Sequence, residues 1–137
     1  MRLWRVAAAL ALVASGCATA PLAPDPTVNL WGQWKIVAVD GQPTGASRNF
    51  NFELNPTYGV AQFGCNKGSG SYVIRDGWFV GGDHWIITAA SCLNREDWLD
   101  FEHKGFNILS KPLAIERRAN GVIRLRNRLG SIKLRRP

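Results

Sequence analysis

Three cysteines and two histidines are the side chains of this 137-residue sequence best suited to chemistry. A cysteine nucleophile needs a histidine base nearby, and Asp83-His84 offers one that could be directed at Cys65 or Cys92. The alternative is a disulfide between these two cysteines, with Asp83-His84 in a surface turn. A zinc site that adds His84 and His103 to the two cysteines lacks the usual short ligand spacings. We therefore expect no catalytic residue, no metal site and no cofactor.

The third cysteine, Cys17, follows a segment typical of an exported protein. Two arginines precede the apolar run 6–13, and small residues lead from there to Cys17. Small residues immediately before a cysteine resemble the lipobox of bacterial lipoproteins, whose cysteine is acylated and becomes the first residue of the mature chain. Ordinary cleavage after Ala20 and an uncleaved buried helix are the alternatives. The sequence predicts a signal peptide over residues 1–16 and lipidation of Cys17.

Lipidation of Cys17 leaves Cys65 and Cys92 as a pair. In an oxidising envelope compartment two cysteines favour a disulfide, which would close a loop of roughly 28 residues and contribute about 3.5 kcal/mol by chain entropy. Two separate buried thiols are the alternative. A residue other than aspartate after the anchor, here Ala18, resembles the outer-membrane sorting rule. We expect a protein of the bacterial cell envelope, lipid-anchored in the outer membrane and facing the periplasm.

The rest of the chain has the length and composition of one globular domain. Apolar residues make up 46% and charged residues 20%, which excludes collagen-like, coiled-coil and wholly disordered chains. The sequence has no run of about 18 apolar residues, so it predicts no ordinary membrane-spanning helix. Residues 17–28 contain three prolines and are expected to form an extended tether. The folded domain is expected over residues 29–137.

Apolar and polar residues alternate over most of the region 29–87, which indicates short strands. The turns Asp40-Gly41 and Arg75-Asp76-Gly77 separate such runs, and the second is typical of a hairpin. Strands are predicted over residues 34–39, 49–54, 58–63, 71–74, 78–80, 85–88, 113–116, 122–128 and 132–135. The pattern predicts an α+β fold, in which one amphipathic helix packs against an antiparallel, partly barrel-like β-sheet of short strands.

Residues 94–109 are the predicted helix. Asn94 is the expected N-cap, and acidic residues follow in the first turn. Apolar side chains share one half of the helix at about 100° per residue, and Gly105 within that arc indicates a close approach to the sheet. Glu102 lies in the same arc, so its carboxylate needs a partner or a place at the edge.

Positive charge is concentrated near the carboxyl end. Residues 111–137 carry a net charge of +8, whereas residues 17–110 carry −3. Alternate residues of the last two predicted strands share one side of the sheet. The basic residues in these rows are Arg124, Arg126, Arg128, Lys133 and Arg135. Because Glu116 is the one acid of the tail, we expect an exposed positive surface that contacts anionic envelope polymers or lipids, with a merely solvated face as the alternative. No recognition motif indicates nucleic acid.

An ordered set of short motifs resembles the META-domain, or HslJ-like, family. The set consists of Gly64-Cys65-Asn66, Gly70 and Tyr72 of a Gly-x-Tyr motif, Thr88 and Cys92 of a Thr-x-x-x-Cys motif, and Glu102 in the helix that follows. The resemblance covers about residues 30–135. It implies a small α+β fold, often in an envelope lipoprotein, and no known reaction.

These observations favour a non-catalytic cell-envelope lipoprotein that supports envelope integrity or stress tolerance, anchored to the membrane by its lipid. A binding or inhibitor module against a secreted enzyme such as lysozyme is the alternative, although lysozymes are commonly basic and so is this domain. A hydrolase is disfavoured by the scarcity of histidine. The five tryptophans after residue 30 are expected to pack in the core rather than to form a sugar-stacking platform. The sequence identifies no protein partner.

Overall fold

A computed structural model describes residues 23–137 of the chain. The signal peptide predicted over residues 1–16, the predicted lipidation site Cys17 and the first part of the predicted tether lie outside the described residues. Within the described part of the chain, no helix is both long and apolar enough to cross a membrane.

The described residues form ten strands and one α-helix. The strands are Gly32–Val39 (β1), Gln42–Pro43 (β2), Phe50–Leu54 (β3), Tyr58–Phe63 (β4), Lys67–Arg75 (β5), Trp78–Gly81 (β6), Ile86–Ile87 (β7), Leu113–Arg117 (β8), Ile123–Asn127 (β9) and Gly130–Arg135 (β10). The helix is Glu96–Leu109 (α1), and a 3-10 turn covers Ala119–Gly121. Every predicted strand is present, and all but one agree within two residues at each end.

Eight of the strands close into an antiparallel barrel. Their order around the ring is β1, β3, β4, β5, β6, β8, β9 and β10, and β10 pairs with β1 to close it. Lys35 opposite Arg135 and Ile36 opposite Leu134 form part of this seam. The short strands β2 and β7 add to β1 and β5. Closure pairs the strand edges that an open sheet would expose and confirms the predicted α+β fold.

The barrel interior is filled by the inward-facing residues of its strands. In β3, Phe50, Phe52 and Leu54 are each 1% exposed, and the residues between them lie on the outer side. Phe52 meets Phe79 of β6 edge to face, with ring centroids 5.7 Å apart. The alternation of apolar and polar residues in the sequence therefore indicates which side chains face the inside and the outside of the barrel.

Helix α1 packs its apolar face against inward-facing aromatic residues of β3 and β4 and shares one core with the barrel. Phe101 meets Phe50 edge to face at 5.2 Å, and Phe106 meets Phe63 at 5.1 Å. A Cβ atom at Gly105 would overlap the ring of Phe63. The close approach that Gly105 indicated is confirmed, and a larger side chain would push the helix off the sheet.

The helix begins later than expected, and the prediction that Asn94 caps it is wrong. Arg95 holds the N-cap position without a side-chain capping hydrogen bond, and the helix begins at Glu96. The Arg95 amide donates to the carbonyl of Cys92 at 3.2 Å, and Asn94 between them has a φ of 61°. Asn94 is therefore the left-handed residue of a turn between the disulfide and the helix, a conformation that asparagine tolerates.

Strand β5 begins at Lys67, four residues earlier than predicted. A Cβ atom at Gly68 would overlap the ring of Phe106, and one at Gly70 would lie 2.7 Å from Cδ1 of Trp85. Glycine is depleted in strands. The glycines at the start of β5 therefore favoured a loop over a strand when only the sequence was considered. The two glycines are explained by the aromatic rings that cover them.

The packed domain begins earlier than the boundary expected at residue 29. The Asp25 amide donates to the carbonyl of Ile115 at 2.7 Å, and the Asp25 carboxylate pairs with Arg117 at 3.4 Å. Val28 is 7% exposed and joins the hydrophobic core. Residues 25–28 are thus attached to the barrel rather than being free tether.

Candidate functional site

The disulfide predicted from the sequence is present. Cys65, just after β4, is bonded to Cys92, just before α1, and their Cα atoms are 5.6 Å apart. The bridge joins residues 27 positions apart in the chain. It fastens the segment between β7 and α1 to the barrel wall.

Asn66, next to the disulfide, is hydrogen-bonded to the helix. Its backbone amide donates to Oε2 of Glu102 at 3.0 Å, and its side-chain Nδ2 donates to Oε1 at 2.8 Å. Asn66 is 5% exposed and Glu102 is 7% exposed. The buried carboxylate therefore has the partner that its place on the apolar side of the helix required.

The same asparagine side chain also binds the segment that carries Cys92. Its Oδ1 accepts hydrogen bonds from Oγ1 of Thr88 at 3.0 Å and from the amide of Ala90 at 2.6 Å. The Thr88 hydroxyl oxygen in turn accepts from the amide of Lys67 at 3.0 Å. We call Asn66, Thr88, Glu102 and the disulfide the polar clasp, because together they tie helix and loop to the barrel.

The remaining motif residues have structural contacts as well. Gly64 has a φ of 128°, and a Cβ atom there would lie 2.8 Å from Cβ of Trp98. The Tyr72 ring stacks on Phe79 at 5.1 Å, and its hydroxyl donates to the carbonyl of Asn55. Burial raises the pKa of the Tyr72 hydroxyl above its ordinary value.

The polar clasp contains atoms of the kinds that bind metal ions, but these atoms are already bonded or hydrogen-bonded to other groups of the protein. The sulfurs of Cys65 and Cys92 and a carboxylate oxygen of Glu102 lie within 4.8 Å of one another. The sulfurs are bonded to each other, and both oxygens of Glu102 accept hydrogen bonds from Asn66. A thiolate ligand or nucleophile would require reduction of the disulfide first.

The outer face of β9 and β10 brings basic residues side by side. Lys133 lies directly opposite Arg124, and Arg135 lies opposite Lys35 across the closing seam. Arg128 follows β9 and is exposed. We call this surface, formed by Arg124, Arg126, Arg128, Lys133 and Arg135, the basic face.

A buried acid neutralises part of the basic face. Glu116 of β8 is fully buried and accepts hydrogen bonds from Nε of Arg124 at 2.6 Å and Nε of Arg126 at 2.8 Å. Burial alone would raise the pKa of Glu116, but the hydrogen bonds and charges of the two arginines outweigh it and lower that pKa. The sequence could not show that β8 places its one acid between these arginines. Arg128, Lys133 and Arg135 make no ion pair among the described residues.

Two of the tryptophans lie at the surface, which corrects the prediction that all five pack in the core. Trp31 is 52% exposed and Trp78 is 40% exposed, whereas Trp34 is buried. The residues Trp85 and Trp98 are partly buried against the core. Trp78 lies on the outer face of β6, at a position that alternation could have assigned from buried Phe79.

The sequence also matches a family model. The model of the META domain covers residues 28–134, almost all of the described chain. The chain belongs to the META domain family. The polar clasp thus contains five of the eight residues by which the sequence resembled that family.

Two solved structures share the fold of this META domain protein. An NMR structure of a protein from Burkholderia xenovorans aligns with 93% of this chain and 99% of that chain, with a TM-score of 0.62 and 20% identity. Another NMR structure aligns with 81% of this chain and 93% of that chain, with a TM-score of 0.65 and 14% identity. At such identities the similarity establishes the fold alone. Among curated proteins, none matches the sequence.

Proposed function

We propose that this META domain protein is a non-catalytic lipoprotein of the bacterial cell envelope that supports envelope integrity or stress tolerance by binding anionic envelope components. The observation that carries the proposal is the basic face. Its cations are concentrated on neighbouring strands, while the rest of the predicted mature chain is net negative. Such a separation of charge orients a protein toward an anionic surface.

The contacts of the polar clasp support a structural role for its residues. Cys65 and Cys92 are joined as a disulfide, and Asn66 and Glu102 satisfy each other's buried groups. A buried polar group without a hydrogen-bond partner would destabilise the fold, and this penalty explains the pairing of Asn66 with Glu102. They therefore hold the fold that presents the basic face.

Arginine and lysine suit phosphate and carboxylate ligands. A guanidinium can bind either group through two parallel hydrogen bonds. In an envelope these ligands occur on lipid headgroups, lipopolysaccharide and peptidoglycan, and we propose them as partners in place of nucleic acid. Exposed charges are screened over about 8 Å at physiological salt, so the attachment depends on ionic strength.

The proposed lipid anchor is tested at Cys17. We expect the Cys17→Ser variant to leave the membrane fraction or to accumulate as an unprocessed precursor, because the acylated thiol is lost. Several acyl chains hold a protein at a membrane far better than one. The mass of the native amino terminus, together with fractionation of inner and outer membranes, is the measurement.

A Ser15→Ala variant serves as the control, since alanine remains small and should be processed like the parent. A native chain that starts at Pro21 without lipid would contradict the anchor. The same fractionation would contradict the outer-membrane assignment if the lipidated protein sedimented with the inner membrane.

A further inference from the structure

The outer face of the barrel beside the basic face carries exposed apolar side chains. Trp78 of β6 is 40% exposed and Val73 of β5 is 54% exposed. Val80, directly opposite Val73, continues this apolar strip along β6. Large apolar side chains grouped at a surface mark a contact with a partner or a membrane.

Cations flank this apolar strip in register. Arg75 lies opposite Trp78 on one side, and on the other side Ala114 separates Trp78 from Arg126. Because the Ala114 side chain is short, a groove of about 450 Å³ opens between the indole ring and the arginine. The groove is also lined by Lys111 and Arg128. We call the surface made by Val73, Arg75, Trp78, Val80, Lys111, Arg126 and Arg128 the Trp78 face.

The amino-terminal segment reaches the barrel next to the Trp78 face. A Cβ atom at Gly77, the residue before Trp78, would lie 2.8 Å from Cβ of Pro24. Cys17 precedes Pro24 by seven residues. At no more than about 3.6 Å per residue, this length of chain spans at most about 25 Å. A lipid on Cys17 would therefore keep Pro24, which lies next to Gly77 beside the Trp78 face, within that distance of the membrane.

We propose that the Trp78 face lies against the anionic headgroup region of the leaflet that holds the lipid anchor. The inference rests on the proposed lipidation of Cys17 and goes beyond it by naming the face that meets the bilayer. Tryptophan is enriched at membrane interfaces because its ring is apolar and its N–H is polar. Lysine and arginine close to an anionic leaflet add electrostatic attraction. The Trp78 face carries both a tryptophan and cations, and it lies beside the segment that leads to the lipid anchor. It can therefore make the apolar and the electrostatic interaction with the leaflet.

Quenching of tryptophan emission by brominated lipid tests the proposal. The lipidated protein is reconstituted into vesicles of phosphatidylcholine and phosphatidylglycerol, with and without bromine on the acyl chains. We expect Trp78→Phe to lose most of the bromine-dependent quenching. The matched control is Trp31→Phe, which replaces a tryptophan of greater exposure next to β1, four strands from β6 around the ring. This variant should keep the quenching of the parent.

The possible results separate the proposal from the lipid anchor. Equal quenching in both variants, with the protein still lipidated and bound to vesicles, overturns the proposed face and leaves the anchor intact. A native chain without lipid at Cys17 overturns both. Quenching that is absent while cross-linking through the Trp78 face gives a dimer also overturns the proposal, in favour of a second copy as the occupant. Trp78 is exposed, so far-UV circular dichroism should show both variants folded.

Charge on the Trp78 face is tested in the same vesicles. Lys111→Ser with Arg75→Ser should reduce the quenching of Trp78, and so should added salt or the omission of phosphatidylglycerol. Lys67→Ser with Lys104→Ser removes the same charge from positions outside the face and should leave the quenching unchanged. Equal effects of the two double variants would overturn the role of these cations.

Discussion

Replacing Cys65 and Cys92 together with serine should lower the free energy of unfolding by about 3.5 kcal/mol. The bridge joins residues 27 positions apart in the chain. Without it the unfolded chain has more conformational entropy, which favours unfolding. For a domain of this size the melting temperature should fall by about 10–20 °C. Urea denaturation of the parent and the double variant is the measurement.

Two controls isolate the covalent bond in this experiment. Ser91→Ala, next to Cys92 and exposed, should leave the stability within about 0.5 kcal/mol of the parent. Reduction of the parent with a thiol should lower its stability by about as much as the double substitution. If the double variant has the same melting temperature and free energy of unfolding as the parent, the bridge does not stabilise the fold.

Replacing Glu102 with alanine should lower the free energy of unfolding by about 3 kcal/mol, because two buried donors of Asn66 lose their acceptors. These are the backbone amide at 3.0 Å and Nδ2 at 2.8 Å from the carboxylate. Glu102→Gln keeps one acceptor oxygen and should cost less than the alanine variant. Thermal and urea denaturation of both variants are the measurements.

The control for the clasp is His103→Ala, at an exposed position in the same helix, which should change stability by less than about 0.5 kcal/mol. Asn66→Ala should be destabilising alone and should cost less once Glu102 is alanine, because the bond between the two side chains is then already lost while those of Asn66 to Thr88 and Ala90 are not. Fully additive losses in this double-mutant cycle would contradict the clasp.

The features that the sequence predicted correctly depend on local patterns. The alternation of Phe50, Phe52 and Leu54 identifies β3 because every second residue of a strand faces the core. The glycine in Arg75-Asp76-Gly77 identifies a hairpin because it accepts a positive φ, here 80°. Both signals are complete within a few residues, and both elements lie where they were expected.

The features that the sequence could not predict depend on contacts between distant residues. Glu102 clearly needed a partner, but Asn66 lies 36 residues earlier, and local periodicity cannot identify it. The strand through Gly68 resembles a loop until the Phe106 ring is placed over it. The partial neutralisation of the basic face likewise depends on the pairing of β8 with β9, which puts Glu116 opposite Arg124.

Binding of the soluble chain 23–137, which contains the complete described core, tests the central claim that the basic face binds anionic envelope surfaces. The informative variant combines Arg128→Ser, Lys133→Ser and Arg135→Ser, because it leaves the arginine pairs of Glu116 intact. Three cations at about 1 kcal/mol each correspond to roughly a hundredfold weaker binding at low salt. The charge-matched control combines Arg48→Ser, Lys67→Ser and Lys104→Ser, which lie outside the basic face.

The measurement is sedimentation with peptidoglycan and with anionic vesicles over a series of salt concentrations. The account predicts that the parent and the control bind at low salt and are released as salt rises, and that the basic-face variant binds far more weakly at every salt concentration. If the basic-face variant binds at low salt as tightly as the parent, the basic face is only a solvated surface and the proposed function is contradicted.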